Sequence, residues 1–156
     1  MPDDLYDRDS LAWSQRQAGL LRRHAAGERV NGIDWDHVVA EIEDVGLAQL
    51  NAVLSYLDLI LLHGLKLNAW PEDPSCRHWR DQIVASQVRA GARLAPSMRQ
   101  KIDLEERYQR ASRLFAGLGY EAPPVRTAPA FCPAALDQLL SAPCGVLEAL
   151  FRDAGG

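Results

Sequence analysis

Apolar residues recur along most of this chain at intervals of three and four, the spacing that lines one face of an α-helix. From Asp9 and Ser10, both suited to an N-cap, the line Leu11, Ala18, Leu21 and Ala25 runs on to Gly27 and predicts a first helix. A second line, Trp13, Gln17 and Leu20, lies on another side, so both flanks are expected to pack. Asn31-Gly32 signals a turn, and Asp34 caps a second, longer helix reaching Leu67. At about 100° per residue, Ile42, Gly46, Val53, Leu57, Ile60 and Gly64 share one face of it over about six turns. His37, Glu41 and Asp44 take the opposite face, which turns apolar at Leu59 and Leu62, so the far half is expected to be buried all round. Gly46 and Gly64 sit within the stripe, where a missing side chain lets another helix backbone come close.

Trp70-Pro71 and Asp73-Pro74 end that helix, because proline disfavours helical geometry in the residue before it. Ser75 is placed to cap a third helix with Trp79, Ile83, Ala90 and Leu94 inward and Arg89 and Arg93 outward, stopped by Pro96. Ser97, or Asp103 with Glu106 as a capping box, opens a fourth, in which Leu104, Tyr108, Ala111, Phe115 and Leu118 form the stripe up to Gly119. Residues 120–131 hold three prolines and no apolar period, which predicts a linker wrapped over the surface. Cys132 and Pro133 take cap and first-turn positions of a short fifth helix with Leu136, Leu139 and Leu140. After Pro143–Gly145, a last amphipathic turn or two carries Val146, Leu147, Leu150 and Phe151.

The expectation is an all-α fold: a bundle of four main helices around a long central one, with a short C-terminal helical segment. No internal repeat or strand-like alternation competes with it. A length of 156 residues fits a single helical domain over 1–156, and 47% hydrophobic against 24% charged residues suits a globular chain rather than a disordered one. The start lacks a signal-peptide pattern, and the run Leu57–Leu67, interrupted by Asp58, His63 and Lys66, is shorter than the ~20 residues of a bilayer span. No membrane partner is expected. Three cysteines without CxxC spacing point to a reducing, cytoplasmic setting.

Charge changes the picture more than composition does. Residues 1–58 hold eleven acids and five bases, whereas residues 77–113 hold nine bases and four acids. Such a chain can pack its acidic half on its basic quarter, the reading preferred here, or pair head to tail with a second copy. Arginine dominates the basic stretch, as phosphate recognition would require, but Asp81, Asp103, Glu105 and Glu106 offset it. With a net charge of -4 and a pI near 5.5, nucleic acid is not the expected partner.

The best candidate polar cluster is His37, Glu41 and Asp44, with Glu43 beside them, since spacings of four and three put the first three on one helix face. Carboxylates and an imidazole so placed are able to hold a divalent ion or share a proton, but the same acids are favoured in the first turns of any helix by its dipole. His63 stands 22 residues beyond Glu41 on the same helix, roughly 33 Å along it, so it cannot complete that set. It reads as a buried histidine bonded to a neighbouring element. Trp79 and Arg80 of the third helix are the remaining candidates for a polar or interaction cluster. No GxGxxG, GxxxxGK[ST], HExxH or GxSxG is present, so no catalytic residue, cofactor or metal is assigned.

Several segments taken together carry a resemblance. They are Leu5-Tyr6 with Asp9 and Trp13, Ile33-Asp34-Trp35, Ala40-Glu41-Ile42-Glu43-Asp44-Val45-Gly46 and Leu61-Leu62-His63-Gly64-Leu65-Lys66. Trp79 with Ile83 and Gln87 follows, then Phe131-Cys132-Pro133 before Leu136, Gln138, Leu139 and Leu140. In order and spacing the chain resembles a bacterial family catalogued as domain of unknown function 29, known from cyanobacteria and proteobacteria. It departs from that family over Leu67–Cys76, usually polar and basic, and at Ala40, where a fuller acidic pair is usual. The resemblance implies an all-helical domain and no established activity, substrate or cofactor. Function is therefore read as a non-catalytic helical interaction or regulatory module of the bacterial cytoplasm, a homo-oligomer or the partner of another protein. The alternatives are a metal-binding protein or enzyme using the acidic/His cluster, and nucleic-acid binding through the Arg-rich helices.

Overall fold

Helix formation follows the caps and the apolar spacing through most of a computed structural model that describes residues 5–155. Eight helices are found there: α1 (Leu5–Arg8), α2 (Ser10–Ala25), α3 (Trp35–Ala69), α4 (Cys76–Arg93), α5 (Pro96–Arg99), α6 (Leu104–Ala116), α7 (Leu136–Ser141) and α8 (Cys144–Ala154). No strand occurs among the described residues. The fold is all-α, with long helices where the sequence pattern places them. Asp9 accepts a bond from the Ala12 N–H at 2.9 Å to cap α2, and Asp103 accepts from the Glu106 N–H at 3.0 Å to cap α6. Ser75 stands before α4 in helical geometry without using its hydroxyl as a cap, and its N–H donates to Asp73 at 2.7 Å.

Two compact units divide the chain, residues 1–47 and 48–156. In the first, α1, α2 and the start of α3 surround a small core of Trp13, Gln17 and Val38. The buried line of α2 is thus the second of the two predicted, and Leu11, at the head of the other, is 67% exposed. One indole outweighs several small side chains in the area it removes from water.

In the second unit the far half of α3 is the axis. Val53, Leu57, Ile60, Leu61 and Leu65 are buried there with Trp79 and Ile83 of α4, Tyr108 of α6, Leu139 of α7, and Leu147 and Phe151 of α8. Gly64 lets the Phe151 ring lie against α3: a Cβ at position 64 would come 2.7 Å from Cζ. The close approach is made by an aromatic side chain, not by a helix backbone. Burial is not complete all round, since Leu59 remains 36% exposed. α8 runs three turns rather than one or two, because its inward pair Leu147 and Phe151 fills the space beside α3.

Residues 120–131 cross the surface without regular structure, held by side chains that accept or donate to their backbone. Asn68 donates to the Thr127 carbonyl at 3.0 Å, Trp70 to Ala122 at 2.9 Å, and the buried Tyr108 hydroxyl to Pro129 at 2.6 Å. Glu105 accepts the Cys132 N–H at 2.9 Å. α7 begins at Leu136 and not at Cys132, with Ala135 in extended geometry as its N-cap.

Candidate functional site

The first unit brings two predicted residues, His37 and Glu41, into a built polar cluster. Gln17 on α2 clamps the loop before α3: its Oε1 accepts the Asp34 N–H at 3.0 Å and its Nε2 donates to the Gly32 carbonyl at 3.3 Å. Gly32 has φ +88°, a conformation open to glycine at little cost, which turns the chain at this point. So held, Asp34 caps α3 and its Oδ2 receives the Trp13 indole N–H at 3.1 Å and the His37 Nδ1 at 2.7 Å. The His37 ring stacks on Tyr6, centroids 3.9 Å apart, and the Tyr6 hydroxyl donates to Glu41 at 2.7 Å. Trp13 meets Tyr6 edge-on at 4.9 Å. A pocket of about 380 Å³ opens here between Trp13, Gln17, Asp34, Asp36 and His37.

His37 and Glu41 are thus brought together by Tyr6, while Glu43 and Asp44 stay on the exposed surface of α3. No three His, Cys, Asp or Glu side chains among the described residues form a metal-holding group. Asp34 orients the His37 imidazole as a general base would need, but no nucleophile shares the pocket, and the pair fastens the entry to α3. Tyr6, Trp13, Gln17 and Asp34 were not in the candidate set. Their signal was present but ambiguous, since an aromatic and an amide on one line of α2 read first as packing.

The His37 hydrogen bond, with the Trp13 N–H second, holds the Asp34 carboxyl below its usual range against the opposing effect of burial. A depressed carboxylate adds stability above its unfolded value that is lost as the pH falls through the folded one. Asparagine caps helices as well as aspartate. Asp34→Asn is therefore expected to differ from the parent by a constant amount above about pH 5. The difference should vanish on further acidification, as read from urea midpoints. A difference that persists in acid would show that charge plays no part.

His63, Trp79 and Arg80 belong to the second unit and serve its packing. His63 Nδ1 donates to the Leu59 carbonyl one turn back at 2.9 Å, so its partner is its own helix and not a neighbouring element. Burial, ahead of the nearby Lys66 and His78 charges, pushes the His63 pKa down. The unfolded chain takes up this proton near pH 6.5 and the folded chain resists it, so stability is full above that pH and falls below it. His63→Gln is expected to flatten the fall in urea midpoint between about pH 7.5 and 5.5, and parallel profiles would overturn this.

Trp79 is in the core, with Lys66 Nζ 5.7 Å from its ring and the same distance from Tyr120. Arg80 makes a two-pronged pair with Glu148 at 2.6 and 2.9 Å, tying α4 to α8. Arg99 and Arg107 pair with Asp137 and Asp58, which removes much of the basic stretch from any phosphate. Burial raises the pKa of Cys76, Cys132 and Cys144, the opposite of what a nucleophilic thiol needs.

The remaining feature is a surface. Residues 41–49 of α3 are exposed at every position, although the sequence stripe places Ile42 and Gly46 inward. Ile42 is 67% and Val45 65% exposed, and nothing lies within 4 Å of where a Gly46 Cβ would be. The apolar periodicity is real, but this chain supplies a cover for it only from Val53 onward. α3 is also long and apolar enough to cross a membrane by length and composition, and 22% of its most apolar 18-residue window is buried. The sequence estimate, confined to Leu57–Leu67, was too short because it left out Val45–Leu54.

The family model described as "Domain of unknown function DUF29" matches residues 5–143. Among solved structures, the crystal structure of an alpha-helical protein of unknown function from Rhodospirillum rubrum is similar to this chain. The likeness covers 97% of this chain and 98% of that one, with a TM-score of 0.69 and 25% sequence identity. No curated protein matches.

Proposed function

Since the chain belongs to the DUF29 family, a domain of unknown function that brings no activity with it, we propose that it is a non-catalytic helical module of the bacterial cytoplasm. It binds another protein through the uncovered stretch 41–49 of α3. The observation that carries this reading is the pairing of exposure with apolar character at Ile42 and Val45, three residues apart on one side of α3, with Val39, 51% exposed, next in line. Scattered apolar side chains on a surface are ordinary, but several on two and a half bare helical turns form a patch that water disfavours. Gly46 supports the reading further. Glycine within a helix costs about 1 kcal/mol relative to alanine. With nothing beside it inside the chain, close approach by an outside partner gives it a use.

Charge narrows the class of partner. Glu41, Glu43 and Asp44 flank or back the apolar side chains of this stretch and make it acidic, which opposes an anionic membrane or nucleic acid. Three free thiols without a disulfide suit a reducing compartment. The test is a photo-cross-linking amino acid at position 42 of the full chain, expressed in the source cell. Protein adducts are expected from 42 and not from exposed Arg110 of α6. Equal or absent adducts at both positions would overturn the reading.

A further inference from the structure

Nine consecutive residues of α3, 41–49, are exposed, whereas Val38 before them is buried in the first unit and Val53 after them in the second. The division between the units, at residues 47 and 48, falls inside the same stretch. Its helical form therefore rests on what the stretch itself contributes. Nine residues are fewer than the roughly 12–15 at which an isolated helix becomes even marginally stable in water. Ile42 and Val45 are β-branched, and Asp44 and Gly46 are weaker helix formers than alanine. No base lies between Val38 and Leu50, so no pair of opposite charges three or four residues apart forms within the stretch, and Glu41 stands three residues from the like-charged Asp44. The bond from Tyr6 to Glu41 fixes its first residue only.

We propose that α3 unwinds at 41–49 while the units on either side stay folded, so that the helix carries an internal order–disorder element where one unit passes into the next in sequence. Opening here uncovers no buried side chain, since those of the stretch are already in water, and water takes over the backbone bonds that are lost. Opening at Leu57 or Ile60 would instead empty the core around α3. Gly46 gains a second use in this way: nothing within 4 Å requires its small size, and it weakens the helix where no packing compensates. The inference goes beyond the docking role of Ile42 and Val45, which a stiff stretch would serve equally well. Where both hold, a partner seated on the helical form draws the stretch closed, because a ligand that binds one state shifts the population toward it.

The test is native-state amide hydrogen exchange of the purified full chain, resolved residue by residue by NMR. Amides 46–50 are expected to exchange at least about a hundredfold faster than amides 57–65, and faster also than amides 13–20 of α2. Gly46→Ala places a methyl group in open space and is expected to slow exchange at 46–50 by about fivefold, the factor by which the two residues differ in helix propensity. Ala48→Gly, at another exposed position, is expected to speed it by about the same factor, and neither change should alter amides 57–65. Protection at 46–50 equal to that at 57–65 overturns the proposal. So does exchange at 13–20 as fast as at 46–50, which would mean that the first unit unfolds along with the stretch, and so do rates that neither substitution moves. Slow exchange with protein adducts at position 42 removes the order–disorder element and keeps the docking role; fast, substitution-sensitive exchange without adducts does the reverse.

Discussion

Phe151→Ala is expected to lower the unfolding free energy by about 3–5 kcal/mol, read as a lower urea midpoint at unchanged slope. The ring is fully buried at the centre of the second unit, between the backbone of α3 at Gly64 and Tyr108, whose ring centroid is 6.4 Å away. Removing it leaves a void lined by residues of helices fixed by many other contacts, so little collapse into the space is available. Against a typical total of about 5–15 kcal/mol, this is a large share of the fold's stability.

The converse change probes the same contact from the other side. Gly64→Ala gains helix propensity of about 1 kcal/mol. It also drives a Cβ to 2.7 Å from Cζ and 2.8 Å from Cε2 of a ring that has no free volume to enter. A net loss of about 1–3 kcal/mol is expected. With Phe151→Leu in the background the clash is relieved, so the two changes should be less than additive, with a coupling of about 0.5–3 kcal/mol. Additive losses, or a neutral Gly64→Ala, would show that the ring is not locked against the helix.

Trp13→Ala is expected to cost about 3–5 kcal/mol within the first unit alone. That unit buries only Trp13, Gln17 and Val38 among its described residues, so one indole supplies most of its core. The same indole N–H bonds Asp34, and the ring packs on Tyr6. Its loss removes both the apolar seat of α2 and one arm of the cap on α3. Amide exchange should become fast over residues 10–25 while the buried half of α3, α4, α6 and α8 keeps its protection, because local opening follows local burial. A uniform loss of protection through residues 48–155 would overturn this and show the two units to be one cooperative block.

Much of the candidate site was out of reach of pattern reading, for a specific reason. His37 and Glu41 were picked out by spacing, but spacing does not say that Tyr6 would lie between them, 35 residues from Glu41 in sequence. Asp34 was legible as a cap. Its second role, gathering the Trp13 indole and the His37 ring on one oxygen, depends on how α2 folds back on the start of α3. Gln17 was placed on an apolar line only because of its neighbours; its use as a clamp on Gly32 and Asp34 arises from the turn that brings those backbone groups to it.

The chain's own sequence determined that it would be helical and where most helices start and stop, because caps, prolines and three-four spacing act within a few residues of one another. It also determined the relative angle of every apolar residue on each helix. What it left to the tertiary structure was which of those faces would be covered. Ile42 and Ile60 lie on one line of one helix, yet the first is 67% exposed and the second fully buried. Periodicity is a property of a single helix, whereas burial requires a second surface to arrive, and only the folded arrangement of α4, α6 and α8 decides how far along α3 that surface extends.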